Sequence, residues 1–302
     1  LGYEVSGSDL NVTAVLANWE NPLSNGSLIK TGAGTMTLSG ANANTHTGVT
    51  TVNAGELDLN KTAGVNAIGS ASLVIGDGTG GANADIVKLL AANQIPNTAA
   101  VTINSSGKFD LNDNAETIGS LADAGGGLGN VSLGSATLTF GDATASLTFS
   151  GVIAGSGGLT KAGSGEAILS GTNTYGGATT VSVGTLRVNS PGSLAAGSAV
   201  SVAAGATLGG NGTIAGTVSI SAGGNLAPGA SAVTIGTLTL TNGSASALTL
   251  NGNSLYFDLP ASGTTCDLVA ITGNLVLNGV NTVYLNAASG AAAGTYTLMT
   301  FG

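Results

Sequence analysis

The chain has 302 residues, 51 of them glycine and 5 proline, with 7% charged residues and a formal net charge of −9. Six Lys and Arg form no basic stripe for a nucleic-acid backbone. One His and one Cys leave no material for a zinc site, a histidine triad or a disulfide framework, and no apolar run reaches the roughly 18 residues of a membrane-spanning helix.

Hydrophobic residues, at 42% and mostly small, suffice for a narrow core, and no Gly-x-y period signals collagen. The start at Leu1, without Met or a signal-like segment, is expected of a processed or truncated chain. Residues 1–25 alternate in Tyr3–Glu4–Val5 and Leu10–Val15 and then carry Trp19 and Pro22. They read either as a first coil plus a cap, with Trp19 over the core end, or as a strand that pairs with another subunit.

From Gly26 a long unit begins, GSLIKTGAGTMTLSGANANTHTGVTTVNAGELDLN, and it returns as GGLTKAGSGEAILSGTNTYGGATTVSVGTLRVN from Gly157. Leu28, Lys30, Gly32, Gly34, Leu38, Gly40 and Asn42 recur as Leu159, Lys161, Gly163, Gly165, Leu169, Gly171 and Asn173. After a two-residue indel, Thr50, Thr51, Val52, Gly55, Leu57 and Asn60 match Thr179, Thr180, Val181, Gly184, Leu186 and Asn189. Period-two strands are predicted at 27–29, 35–39, 50–52, 56–59 and 72–75. Gly76–Ala84 reads as a loop, and 85–93 breaks the alternation, so a short helical or irregular excursion is expected there, any helix being capped by Asp85 and stopped before Pro96.

The alternation resumes from Val101 through Phe149. After the second copy, VSVAAGATL (Val200–Leu208) returns 18 residues later as VSISAGGNL (Val218–Leu226). Strand, glycine turn and strand at that period describe one coil of a parallel β-helix, stacked on its neighbours at about 4.8 Å. Further strands follow to 282–285, and 295–300 reads as a last one. With no Pro/Ser-rich linker, 26–302 is expected to be one continuous solenoid.

The phrase L-x-K-x-G-x-G-x-x-x-L-S-G-x-N, followed by T-T-V-x-x-G-x-L, resembles the autotransporter-associated β-strand repeat of bacterial surface proteins. Ala204–Ser231 is similar to the segment that commonly follows it. The resemblance implies an all-β fold, a right-handed parallel β-helix, exported to the cell surface. Its matched residues are structural, so it implies a fold and an address more than an activity.

Candidate chemistry is sparse. His46 reads as a solvated turn residue, and Cys266 as a small, partly buried residue or an intermolecular disulfide partner. Glu56 and Asp58 share a strand face, and Asp110, Asp113 and Glu116 form a second acidic group, which raises a β-helix enzyme acting on carbohydrate as an alternative. The second repeat replaces Glu56 and Asp58 by Thr185 and Arg187, so solvated carboxylates are the plainer reading. Gly76–Asp85 resembles one turn of a calcium β-roll, but such rolls repeat in tandem. No cofactor, metal ligand or catalytic residue is assigned.

Eight glycines, Gly32, Gly34, Gly40, Gly55, Gly163, Gly165, Gly171 and Gly184, are expected at turns that need positive φ or close backbone approach. The functional expectation is a non-enzymatic extracellular β-solenoid, a surface filament, stalk or adhesin. Its partners would be copies of itself, joined head to tail through Tyr3, Val5 and Trp19 at one end and Tyr296, Leu298 and Phe301 at the other. A passenger adhesin that binds host or surface glycans is the alternative; nucleic acid and membrane insertion are not expected.

Overall fold

The computed structural model describes residues 2–4, 9–17, 26–124, 128–141, 146–243, 246–289, 291 and 293–302. Among these there is no helix, and every strand-to-strand pairing of named strands is parallel. Contacts divide the chain into two compact units, Leu1–Asp142 with Leu147–Gly158, and Ala143–Ser146 with Leu159–Gly302. Each unit holds one copy of the long repeat.

In the first unit one sheet runs Gly2–Glu4, Leu28–Thr31, Thr50–Val52, Ser72–Ile75, Ala100–Ile103 and Ser120–Ala122. A second runs Leu10–Val12, Thr35–Gly40, Gly55–Lys61, Asp85–Leu89, Gly107–Asp110, Asn130–Ser132 and Val152–Ala154. Through Gly107–Asp110 the chain visits the two sheets in alternation and adds one strand to each per circuit, which is the construction of a parallel β-helix. Period-two alternation sends every second side chain inward. Met36, Leu57, Val87, Phe109, Val131 and Ile153 therefore stack as one register row, all essentially without exposure. Each rung covers its neighbours' apolar surface, and no rung could bury itself alone.

The second unit repeats the plan. Leu159–Lys161, Thr179–Val181, Val200–Val202, Val218–Ile220, Leu248–Asn251 and Leu275–Asn278 follow one another in one sheet. Another takes Glu166–Leu169, Thr185–Val188, Thr207–Gly210, Asn225–Pro228, Ser254–Leu259 and Thr282–Ala287, and a third contains Ser193–Leu194, Thr213–Ile214, Thr237–Leu240, Leu268–Ile271 and Met299–Thr300. The 18-residue period is one coil: Val200 pairs with Val218 and Leu208 with Leu226.

Two local expectations are corrected. The stretch after Asp85 is no helix: Asp85–Leu89 is a strand held between Gly55–Lys61 and Gly107–Asp110. Its residues Asp85, Val87 and Leu89 point inward while Ile86 and Lys88 are half-exposed. Two flanking ladders supply more hydrogen bonds and burial than a helix of one or two turns, whose nucleation is unfavourable. At the other end, only Met299–Thr300 of 295–300 is strand; Tyr296 and Leu298 are half-exposed outside it.

Gly2–Glu4 and Leu10–Val12 pair in parallel with Ile29–Thr31 and Met36–Leu38 of the same chain. Val5 and Trp19, and the roles expected of them, lie outside the described residues.

Candidate functional site

The features common to both repeats lie inside the coils. Lys30 and Lys161 occupy inward positions at the head of aliphatic rows, Lys30–Val52–Ile75–Ile103 and Lys161–Val181–Val202–Ile220–Leu250. They are 0% and 1% exposed. Each ammonium escapes the apolar row by turning its Nζ into the adjacent glycine turns. Lys30 Nζ donates to Gly32 O at 2.7 Å, Ala54 O at 2.8 Å and Thr31 O at 3.2 Å. Lys161 Nζ donates to Gly163 O and, at 3.3 Å, to Val183 O. The lysine thus ties the turn of its own coil to that of the next. Burial lowers the Lys30 pKa, and the Asp85 charge opposes the shift.

The residue after the second carbonyl is Gly55 in one copy and Gly184 in the other, both at φ +69. A Cβ on Gly55 would lie 2.6 Å from Gly32 O and 2.7 Å from Gly34 O. On Gly184 it would lie 2.5 Å from both Gly163 O and Gly165 O. The G-x-G turn of one coil therefore seats on the backbone of a glycine in the next. Gly32 and Gly40 also take positive φ, at +76 and +100, whereas Gly34, Gly163, Gly165 and Gly171 do not.

The inward Thr50 and Thr179 are 0% exposed, so each hydroxyl needs partners within the core. His46 Nε2 lies 2.9 Å from Thr50 Oγ1, which lies 3.1 Å from Ser70 Oγ. In the second copy Tyr175 Oη, Thr179 Oγ1 and Ser198 Oγ form the same chain, with both links at 2.6 Å. His46 is 3% exposed, which corrects its reading as a solvated turn residue. It takes the position of Tyr175, and burial lowers its pKa.

Asn44, not Asn42, plays the part of Asn173. The Asn44 amide donates to Ala67 O at 2.6 Å and that of Asn173 to Ser193 O at 3.2 Å, each a residue of the following coil. The indel therefore falls between Gly40 and Asn44. Matching sequence alone placed it later, because the Asn–Ala–Asn run offers two equivalent partners.

The expected carboxylate groups separate into unlike environments. Glu56 and Asp58 do meet, with Lys88 Nζ 3.6 Å from Glu56 Oε1. Burial and the neighbouring Glu56 push the Asp58 carboxyl up to about 7. Asp110, Asp113 and Glu116 do not converge. Asp110 accepts from Lys108 at 2.8 Å, and Asp113 Oδ1 accepts from the Ser135 amide at 2.7 Å.

Glu116 is 1% exposed and accepts from the backbone amides of Gln94 (2.7 Å) and Thr117 (3.0 Å). Burial raises its pKa to about 7. In the loop 76–84, Asp77 caps the Thr79 amide at 2.8 Å, while Asp85 is already in a strand. Among the described residues no three His, Cys, Asp or Glu gather as a metal site. Cys266 is buried and its thiol donates to Thr297 O at 3.3 Å.

Residues that the sequence reading left as ordinary charges or turns, Lys30, Lys161, His46, Tyr175 and Glu116, prove to be interior. The available signal was the recurrence of lysine at one position in a chain with so few cations. Arg187 behaves likewise at 3% exposure: its Nε bonds Glu166 at 2.6 Å and its Nη1 bonds Gly229 O at 2.9 Å.

The passenger-associated-transport repeat matches residues 28–59 and 159–188, the segments that contain both lysines with the turn carbonyls they bind, and the inward Thr50 and Thr179. A stretch of 114 residues, 37% of this chain, is 39% identical to the Adhesin BmaC autotransporter of Brucella suis biovar 1 (strain 1330). The chain covers 3% of that relative's length. Two segments of the chain, one in each unit, are thus similar to the passenger-associated-transport repeat of autotransporter passengers.

Proposed function

We propose that this chain is a non-enzymatic, surface-exposed passenger segment: β-helical coils that present or extend an adhesive surface outside the cell. The observation that supports this most is the use of charged and polar residues inside the repeats. Lys30, Lys161, Thr50 and Thr179 are spent on joining consecutive coils, which leaves the recurring polar groups engaged inside the scaffold. The named relative is an adhesin, and its match supports a surface role.

The carbohydrate-active alternative draws its support from Glu56 and Asp58. Lys88 pairs with Glu56, and the second repeat has Thr185 and Arg187 in place of Glu56 and Asp58, so the two carboxylates are not a feature of the repeat.

Beads coated with the purified chain should adhere to host-cell or glycan-coated surfaces above the level of beads coated with an unrelated β-helix. Release of reducing or unsaturated sugar ends from a polysaccharide panel would refute the non-enzymatic reading.

Self-association extends the proposal. Tyr3 lies in a strand that begins a sheet, Met299–Thr300 ends another, and Phe301 just beyond is 65% exposed. We propose that these two strand edges pair head to tail between copies of the chain. Filaments that survive deletion of residues 1–15 unchanged would sink this extension.

A further inference from the structure

In the second unit a groove of about 400 Å³ opens beside the paired strands Ser254–Leu259 and Thr282–Ala287. Val233, Ile235, Leu259 and Pro260 give it apolar walls, and Val233 is 77% exposed. Its polar atoms come from the register partners Asp258 and Asn286. Asn286 Nδ2 donates to Asp258 Oδ1 at 2.7 Å, which uses one of the amide's two N–H donors on the carboxylate. What remains for a ligand is the second carboxylate oxygen, Asn286 Oδ1 and one amide N–H, an excess of acceptors that carries the carboxylate's charge.

Charge reinforces this. Asp267, 1% exposed behind Asp258, spends Oδ1 on the Gly236 amide and Oδ2 on the Asp258 amide, each at 2.8 Å. From Leu159 to Gly302 the sequence has only two cations, Lys161 and Arg187. Both are buried and committed to interior carbonyls or Glu166. The carboxylate in the groove therefore lacks a cation of its own, and a complementary occupant supplies a positive charge and several donors on an apolar stem. An ammonium suits this better than a guanidinium, because Asn286 already holds one carboxylate oxygen and prevents a two-point fork.

We propose that this groove is a docking site for the lysine side chain of a partner polypeptide, with the hydrocarbon stem between Val233, Leu259 and Pro260 and the ammonium on Asp258 and Asn286. This is independent of whether the chain serves as an adhesin or a scaffold.

The test is an NMR titration of the isotope-labelled full chain with Nα-acetyl-lysine methylamide, its Nε-acetylated form, the arginine analogue and methyl N-acetylglucosaminide. Saturable shifts confined to Val233, Ile235, Asp258 and Asn286 are expected for the lysine compound. Acetylation of the amine, or Asp258→Asn, should weaken binding at least ~10-fold, the loss expected of one charged hydrogen bond. Val233→Ser on the exposed wall should weaken it about threefold.

The proposal is overturned by the absence of saturable shifts, by equal binding of the acetylated form, by tighter binding of the arginine analogue, or by a response to the sugar alone. Should Asp258→Asn lose its spectral dispersion, Val233→Ser and the acetylated compound decide the matter, and unchanged affinity in either rejects it.

Discussion

Replacing Gly184 by alanine separates two demands that a coil can make on a glycine. The new Cβ would lie 2.5 Å from Gly163 O and from Gly165 O and 2.7 Å from Ser164 C, all backbone atoms, at φ +69. The left-handed conformation costs an alanine about 1–2 kcal/mol. Moving the G-x-G turn aside adds about 1–3 kcal/mol of overpacking, and it disturbs the Gly163 carbonyl that Lys161 holds.

Two other glycines of the same unit isolate the terms. Gly205 has φ +78 with nothing near its would-be Cβ, so Gly205→Ala should show only the first, about 1–2 kcal/mol. Gly176 has neither feature, and Gly176→Ala should change stability by less than about 0.5 kcal/mol or improve it slightly. Urea unfolding followed by far-ultraviolet circular dichroism ranks the three, with Gly184→Ala lowest by about 2–5 kcal/mol in total. A Gly184→Ala loss no larger than that of Gly205→Ala would refute the idea that coil-on-coil seating selects this glycine.

Lys161→Met should destabilise by about 2–4 kcal/mol in the same assay, because Gly163 O and Val183 O lose their charged donor inside the core; a neutral result would show the lysine to be dispensable. Thr179→Val keeps the shape but breaks the Tyr175–Thr179–Ser198 chain. A loss of about 1–3 kcal/mol is expected, and a gain would mean that the hydroxyls satisfy one another without it.

Glu116 sets a pH dependence. Its carboxyl is raised from 4.5 to about 7 in the fold, so between those values the unfolded chain releases a proton that the native state keeps. Stability is full below pH 4.5 and falls as pH rises to about 7, by about 3 kcal/mol for this group. Glu116→Gln should flatten that part of the urea-midpoint curve and leave the share of Asp58; an unchanged slope would place the raised group elsewhere.

Alternation and repetition were enough to fix the architecture from the sequence. In Val200–Leu208 and Val218–Leu226 the period of two tells which residues face inward, and the period of 18 tells which residues stack. Those two facts define a parallel coil before any contact is known, because each rung requires the next to bury it. The same local patterns misjudged Asp85–Leu89, where Asp–Ile–Val–Lys–Leu breaks the polar–apolar alternation because Asp85 faces inward and Ile86 outward. Pairing with strands on both sides decided the outcome there.

The interior roles of Lys30, Lys161, His46 and Glu116 also depended on the tertiary structure. Residue type alone places such groups in water, since burying a charge or an imidazole is unfavourable without partners. The partners are backbone groups and hydroxyls: Ala54 O for Lys30 and Val183 O for Lys161 from the next coil, Gln94 N for Glu116, and for His46 the Thr50–Ser70 pair. Lys161 and Val183 are 22 residues apart in the chain and meet only when one coil lies on the other. The sequence showed that the lysine recurs; stacking supplied the carbonyls that allow it to be buried.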